Sequence, residues 1–225
     1  MFKKLLTLGI IVSIASAVQA QSIKLGIKGG YNLAKLVEKM DGVTVSTENY
    51  SGFMAGAYVD LKLGIISIQP GLVYSSKGGK LFSSYSYSDG SATYEGSQKA
   101  KVSLNYLEVP VNLLYHVPIV VGNIYFGAGP YAAMGLSGKQ SYSVSGNFPA
   151  IEEYDFDGHN EKVTFGSGED DVKRIDYGLN AQAGLRLKGG LDLGINYGLG
   201  LANISNDSDY KTRNRVWSFT VGYFF

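Results

Sequence analysis

The sequence predicts an all-β protein, an eight-stranded antiparallel up-and-down transmembrane β-barrel. Hydrophobic residues make up 45% of the chain, yet after the N-terminus they alternate with polar residues and form no long runs. Such alternation, repeated strand by strand, is the signal of a membrane barrel and not of membrane helices. The chain contains eight alternating segments, an even number, and the connections between them are alternately long and short. This asymmetry is typical of barrels with brief periplasmic turns and longer outer loops.

Residues 1–20 are predicted to be a signal peptide that is cleaved on export. Lys3 and Lys4 are basic, residues 5–18 are apolar, and the cut is placed after Ala20. The apolar stretch is short for a membrane span, so a permanent N-terminal anchor is the weaker alternative. Residues 21–225 then form one barrel domain without cysteine. Loss of two lysines with the peptide changes the formal charge from +1 to −1, which predicts no binding of nucleic acid.

Each predicted strand has one apolar face and one polar or glycine-rich face. The strands are residues 22–32, 51–63, 65–74, 101–115, 123–136, 175–187, 191–201 and 216–225. In the first strand, Ile23 and Leu25 alternate with lysine and glycine, which is the period of a β-strand. Residues 33–50 are predicted to be a polar connection, and a tight turn at Gly64 joins the second strand to the third.

Three irregularities are predicted in the middle of the chain. Pro70 removes a donor from the hydrogen-bond ladder, so we expect a bulge or a local distortion in the third strand. The alternation continues beyond this strand to Asp89 and Gly90, a favoured two-residue turn, which predicts a β-hairpin extending beyond the bilayer. In the fourth strand the apolar period slips near Tyr106 and Leu107, as it does at a β-bulge.

The second half of the chain ends in an aromatic strand. Residues 116–123 are predicted to be a short connection, residues 137–174 the longest connection, and residues 202–215 a polar one. The apolar face of the last strand consists of Trp217, Phe219, Val221, Tyr223 and Phe225. A largely aromatic face is suited to the lipid interface, so this segment is predicted to be the closing strand of the barrel.

The faces opposite the apolar ones carry charged side chains. These predicted interior residues are Lys24, Lys28, Asp60, Lys62, Glu108, Asp176, Arg186 and Asp192. A soluble lipocalin-like barrel is the rival fold, but this interior is too charged for a small apolar ligand. Eight strands enclose a space only just wide enough for side chains, so the charges are predicted to pair and to plug the lumen. A narrow conducting path is the less favoured interpretation.

Two patterns suggest chemistry, and neither predicts a site. Residues 150–171 place acidic side chains around His159, but their glycine spacing differs from an EF-hand, so a solvated anionic loop is favoured over binding of divalent cations. His116 and His159 are the two histidines, and no motif supplies a nucleophile or a bound water beside either of them. We therefore expect no enzyme activity, no cofactor and no metal site.

Three short motifs carry a family resemblance that covers the whole mature chain. They are YLEVPV at residues 106–111, YFGAGPY at 125–131 and DYGLN at 176–180. They resemble the outer membrane β-barrel domain family, which includes the PorT-like proteins of Gram-negative bacteria and is similar in architecture to the outer membrane protein A and X barrels. The resemblance implies an eight-stranded barrel in the cell outer membrane. It also implies insertion by the barrel-assembly machinery, with Phe225 as the terminal aromatic assembly signal, and no catalytic residues.

The function expected from these observations is a structural or binding role through extracellular loops, with a lumen plugged by polar side chains. The alternative is a narrow pore, or an accessory component of an outer-membrane transport or secretion system. The expected partners are outer-membrane lipid or lipopolysaccharide and the barrel-assembly machinery. An extracellular or secretion-system protein is a further candidate.

Overall fold

The computed structural model consists of antiparallel β-strands joined in one sheet. It describes residues 22–40, 43–88, 93–148, 151–169, 171–207, 209 and 211–225. The strands within these ranges are β1 (Ser22–Met40), β2 (Val43–Ser46), β3 (Tyr50–Leu63), β4 (Ile66–Ser88), β5 (Thr93–Ile119), β6 (Gly122–Phe148), β7 (Ile151–Val163), β8 (Ile175–Leu187), β9 (Leu191–Gly200) and β10 (Lys211–Phe224). In the same ranges, no helix has the length and apolar character needed to cross a membrane.

Eight of these strands close into a ring, which confirms the predicted fold class. The order around the ring is β1, β3, β4, β5, β6, β8, β9 and β10, and pairing of β10 with β1 completes it. Closure leaves no unpaired strand edge along the wall, and lipid could not have satisfied such an edge. The two remaining strands lie outside the ring, β2 against β1 and β7 against β6.

The two ends of the ring differ in the length of their connections. Tight turns after β3, β5 and β8 lie at one end, where Gly64 and Gly190 adopt positive φ angles of 65° and 93° that favour glycine. The start of β1 and the C-terminal residue are here too, and the Phe225 amide donates to the Leu25 carbonyl at 2.8 Å. We call this the turn end and the opposite one the loop end. The turn end corresponds to the periplasmic side of such barrels.

The loop end contains more regular structure than the sequence predicts. The prediction of residues 33–50 as a connection was wrong, because β1 continues to Met40 and pairs with β2. Residues 137–174 were also not a plain connection, because they contain the end of β6 and all of β7, paired from Gly138 opposite Val163 onward. At this end the outer face of the strands no longer carries a regular row of apolar side chains, so the apolar period disappears while the backbone ladder continues.

The other predicted boundaries need smaller changes. The predicted hairpin is confirmed as the pairing of β4 with β5, which continues to Ser88 opposite Thr93. Its predicted turn at Asp89 and Gly90 lies outside the described residues. Residues 116–123 are mostly strand, since β5 continues to Ile119 and β6 begins at Gly122. The polar connection that begins after β9 is shorter than predicted, because β10 begins at Lys211.

The two other irregularities predicted in the middle of the chain have different outcomes. Around Pro70 the ladder between β3 and β4 is interrupted between the pairs Tyr58–Gly71 and Leu61–Ile68, but the register is unchanged, so the distortion is not a bulge. The slip predicted within the fourth strand was wrong, because Leu104, Tyr106 and Glu108 all point inward in one continuous period. The register shift at this level places the extra residue on β6 instead. The sequence suggested a slip because Leu104 and Tyr106 are apolar although they point into the barrel, whereas the apolar residues that follow point outward.

The outward face of the ring is a continuous apolar surface. Leu25, Phe219 and Val221 are exposed over 59%, 48% and 57% of their surface, and their neighbours on adjacent strands are similar. An apolar surface of this extent would be unfavourable in water and is the lipid-facing band of a membrane barrel. The inward face is polar and buried, and it carries the candidate site.

Candidate functional site

A first charged cluster fills the lumen near the turn end. Arg186 contacts Asp60 and donates from Nε to Asp192 Oδ2 at 2.9 Å. Lys28 Nζ lies 3.1 Å from the other oxygen of Asp192. Each side chain comes from a different ring strand, β1, β3, β8 or β9, and none is more than 6% exposed. Two cations and two carboxylates balance each other, which burial in a medium of low dielectric requires.

Aromatic rings hold the basic groups of this cluster in place. The Arg186 guanidinium lies 3.6 Å from the ring centre of Phe224, which β10 directs into the lumen. The Tyr125 hydroxyl donates to Asp192 at 2.9 Å, and Lys28 Nζ lies 5.2 Å from the Tyr125 ring centre. Cations gain from contact with ring faces when water is excluded. The rings therefore stabilise the charges and also occupy the space around them.

A second charged cluster lies nearer the loop end. Lys77 Nζ is 2.9 Å from Glu108 and 3.3 Å from Asp176 Oδ2, so one ammonium serves two carboxylates. Asp176 Oδ2 also accepts hydrogen bonds from the Tyr131 hydroxyl at 3.3 Å and from Asn214 Nδ2 at 3.1 Å. These neutral donors offset part of the excess negative charge. The second cluster is nevertheless formally one unit negative, and Lys77 is its single cation among the described residues.

The structure brings six of the eight predicted interior residues into these two clusters. Lys24 and Lys62 lie half-buried at the turn end, and neither forms an ion pair with a described residue. Lys77 was not among the predicted residues, although it continues the inward period of Ser67 and Gln69 on β4. That period is the available signal, but the predicted strand ends at residue 74, three residues before Lys77.

An apolar cap covers the lumen at the loop end. Its buried side chains are Leu36, Leu104, Tyr106, Tyr131, Ala133, Phe165 and Ile204. Phe165 follows β7 and Ile204 follows β9, so two connections fold back over the barrel mouth. The Phe165 ring packs edge-on against Tyr106 with centroids 6.0 Å apart, and it lies directly over the backbone of Gly135. No motif in the sequence distinguishes this cap from a solvated loop.

Hydrogen bonds hold the cap segments on the barrel. The Gly135 amide donates to the Arg174 carbonyl at 2.7 Å, which ties the segment before β8 to β6. Asn206 Nδ2 donates to the carbonyls of Gly166 and Asp171 at 3.0 Å each, which joins the two connections. With its backbone groups satisfied in this way, the cap is a folded part of the protein.

Little space remains between the two charged clusters. A cavity of about 40 Å³ lies there, lined by residues of both clusters together with Asn112 and Ser218. A buried water needs roughly 10–15 Å³ of such volume, so about three waters would fit. Asn112 Oδ1 and Asp176 Oδ1 are buried without a hydrogen-bond partner among the described residues, and water in this cavity would suit acceptors of this kind.

The two other candidate patterns form no site among the described residues. His116 is buried on β5 with Nε2 2.8 Å from Ser67 Oγ, inside the wall at the turn end. The side chains of residues 151–160, including His159, lie outside those that the structure describes. Elsewhere in the acidic segment, Glu161 accepts from Gln140 Nε2 at 3.0 Å. The described part of the chain contains no group of three or more side chains that could bind a metal ion.

Comparison with known proteins places this architecture in a family. Residues 19–206 match the family described as outer membrane protein beta-barrel domain. Among solved structures, the attachment invasion locus protein Ail of Yersinia pestis is 17% identical over 90% of this chain and 98% of its own, with a TM-score of 0.40. OprG of Pseudomonas aeruginosa is 15% identical over 91% and 97%, with a TM-score of 0.36. No curated protein matches the chain.

The family match extends over most of the sequence and agrees with the closed ring and the apolar outer band. It confirms the resemblance predicted from the three motifs, while the narrower PorT-like assignment stays a prediction. The chain belongs to the outer membrane protein beta-barrel domain family and is a protein of the cell outer membrane.

Proposed function

We propose that this barrel is closed to ions and acts at its loop end, in a structural or binding role. The observation that carries the proposal is the pair of buried charged clusters beneath the apolar cap. A conducting path needs a continuous water-filled channel, and side chains occupy the lumen at three successive levels. The cavity of about 40 Å³ between the clusters is far smaller than such a channel.

The alternative is a narrow pore or an accessory of a transport system, and one observation favours it. Several buried polar atoms in the lumen have no described partner, among them Asp60 Oδ1, Asn112 Oδ1 and Asp176 Oδ1. Waters could link them if the cap moved aside. Opening would require the Phe165 ring to leave its position over Gly135. Whether the cap stays in place therefore distinguishes the closed barrel from the narrow pore.

Single-channel recording of the folded protein in a planar bilayer tests the proposal. The native protein should give no discrete openings, provided that its folding is verified by heat-dependent migration on gels. The informative companion is an uncapped variant, Phe165→Gly with Ile204→Gly. Openings in the native protein would overturn the proposal. Openings in the uncapped variant alone would assign closure to the cap, and silence in both would assign it to the charged clusters.

No catalytic step is part of the proposal. The buried His116–Ser67 contact lies inside the wall, where a substrate would have to displace packed side chains. A substrate-binding function therefore belongs to the loop end, where β4, β5, β6 and β7 extend beyond the ring. The proposal also requires no cofactor.

A further inference from the structure

The outer surface of β1 and β10 changes abruptly from apolar to basic at one level. Tyr31 and Leu33 end the outward apolar run on β1, and Trp217 ends it on β10. The next outward positions toward the loop end are basic, apart from Val37. We call these five residues the cationic ladder: Lys35, Lys39, Lys211, Arg213 and Arg215.

The register of the two strands concentrates this positive charge. Lys35 lies directly opposite Arg215, and Lys39 directly opposite Lys211, so two rows place a cation against a cation. Like charges in directly opposed positions destabilise a sheet. No member of the ladder forms an ion pair with a described carboxylate, and the Glu38 side chain alternates to the other face of β1. Because the opposed cations repel each other when no anion is near, binding of an anionic ligand would relieve this repulsion.

The two arginines of the ladder differ in what holds them. Arg215 donates from Nη1 to the carbonyls of Gly200 at 2.6 Å and Asn214 at 2.9 Å, which fixes its side chain. Arg213 Nε is buried without a hydrogen-bond partner among the described residues. A guanidinium presents several donors in a planar fork that matches phosphate oxygens.

The height of the ladder identifies the ligand class. Lys35 and Arg215 are two residues beyond Leu33 and Trp217, about 7 Å along the strands and roughly 5 Å along the membrane normal after tilt. Trp217 packs on Tyr197 with ring centroids 4.7 Å apart at the upper margin of the apolar band. Aromatic side chains are enriched where hydrocarbon meets the headgroups, so the ladder begins at headgroup level.

We propose that the cationic ladder binds the phosphate groups of glycolipid in the outer leaflet around the barrel. The site faces sideways into lipid because it continues the outward face of β1 and β10. It deepens the proposed function by naming a partner, and it rests on that function only in placing the loop end at the outer surface. A conducting channel would overturn the plugged lumen and leave this site unaffected.

The chain offers a matched control with the same number of charges. Five lysines on the outward face of the β4–β7 wall are Lys80, Lys99, Lys101, Lys139 and Lys162. On β5, Lys101 lies six residues beyond the last apolar outward residue, Leu107, which is about 20 Å along the strand. Lys101 is therefore level with Lys39 and Lys211, which lie six residues beyond Leu33 and Trp217. Glu48 lies opposite Lys80, so this lysine has an acidic residue as its cross-strand neighbour. None of the five control lysines lies at the first level beyond the apolar band, where Lys35 and Arg215 are. Phosphates of lipid A that bind at this first level should not touch the control lysines.

The experiment measures binding of lipid A to the full protein, purified folded from outer membranes in mild detergent. Diphosphoryl lipid A and its dephosphorylated form are compared by native mass spectrometry. The native protein should prefer the phosphorylated lipid at least tenfold. Changing all five ladder residues to Gln should abolish the preference, and Arg215→Gln alone should lower it about fivefold. The control variant, with its five lysines changed to Gln, should keep the native preference.

Three outcomes of the lipid comparison would overturn the proposal. They are equal binding of both lipids by the native protein, an unchanged preference in the folded ladder variant, and an equal loss in the control variant. The last would mean that net charge alone attracts the lipid. Inorganic phosphate at millimolar concentration should not displace bound lipid A, and full displacement would assign the ladder to a soluble anion. Heat-dependent migration on gels verifies the folding of every variant.

Discussion

Lys77 should be the most costly single position in the lumen to neutralise. Its ammonium is 2.9 Å from Glu108 and 3.3 Å from Asp176, its side chain is 4% exposed, and its Nζ lies 4.5 Å from the Tyr131 ring centre. In Lys77→Met the second cluster would hold two buried carboxylates without a cation. Removing one partner of a buried pair costs about 3–5 kcal/mol, because the remaining charge is uncompensated. We expect a loss in that range in the free energy of unfolding.

The fluorescence of Trp217 reports directly on unfolding of the barrel. This residue is the only tryptophan of the chain, and it lies on the lipid-facing surface, 48% exposed. Its fluorescence should shift when the barrel unfolds out of a vesicle in urea, which gives the free energy of unfolding from the transition. The matched control is Lys24→Met, which removes a half-buried lysine without an ion pair to a described residue and should cost less than about 1 kcal/mol.

A compensating variant separates lost charge pairing from lost packing. Lys77→Met combined with Glu108→Gln and Asp176→Asn removes the whole charged set, and it should recover most of the lost stability because neutral amides leave no orphan charge. A Lys77→Met protein within about 1 kcal/mol of the native one would refute the reasoning. So would a triple variant no more stable than the single one.

Three further predictions concern the cap, the hairpin and assembly. In Gly135→Ala the added Cβ would meet Phe165 Cε1 at 2.3 Å, so the ring should leave and trypsin should cleave the folded protein faster after Lys173. Replacing residues 84–97 with a two-residue turn should change the unfolding free energy by less than about 1 kcal/mol, measured in urea, because this hairpin lies beyond the ring. Phe225→Ser should lower the yield of outer-membrane protein in fractionated cells while leaving stability nearly unchanged, since the side chain is 69% exposed.

Each of these has a control or a contradicting result. Gly189→Ala adds a Cβ with no atom within 4 Å and should leave the trypsin rate unchanged. A large destabilisation from the hairpin replacement would mean that β5 needs its distal end to hold β6 in register. An unchanged outer-membrane yield for Phe225→Ser would remove the terminal aromatic from the assembly signal.

Much of the fold follows from the alternation of apolar and polar residues, which can be recognised within a single strand. The lipid-facing set of the last strand was predictable because successive residues alternate between the two faces, whatever the neighbours are. The same period failed at the loop end, since β1 beyond Leu33 and β6 beyond Gly138 carry mostly polar side chains on their outer face. It misled at Tyr106, where an apolar side chain belongs to the interior cap.

By itself, the sequence determined that this is a membrane barrel of eight strands with charge inside it, because hydrophobic alternation is a local property. Only the tertiary structure decided which charges meet, since Lys77 and Asp176 are separated by 99 positions in the chain and meet across the lumen. It alone also decided that Phe165 closes the mouth and that Lys35 faces Arg215. Those contacts depend on strand register and ring closure, which are set by long-range pairing that no short segment encodes.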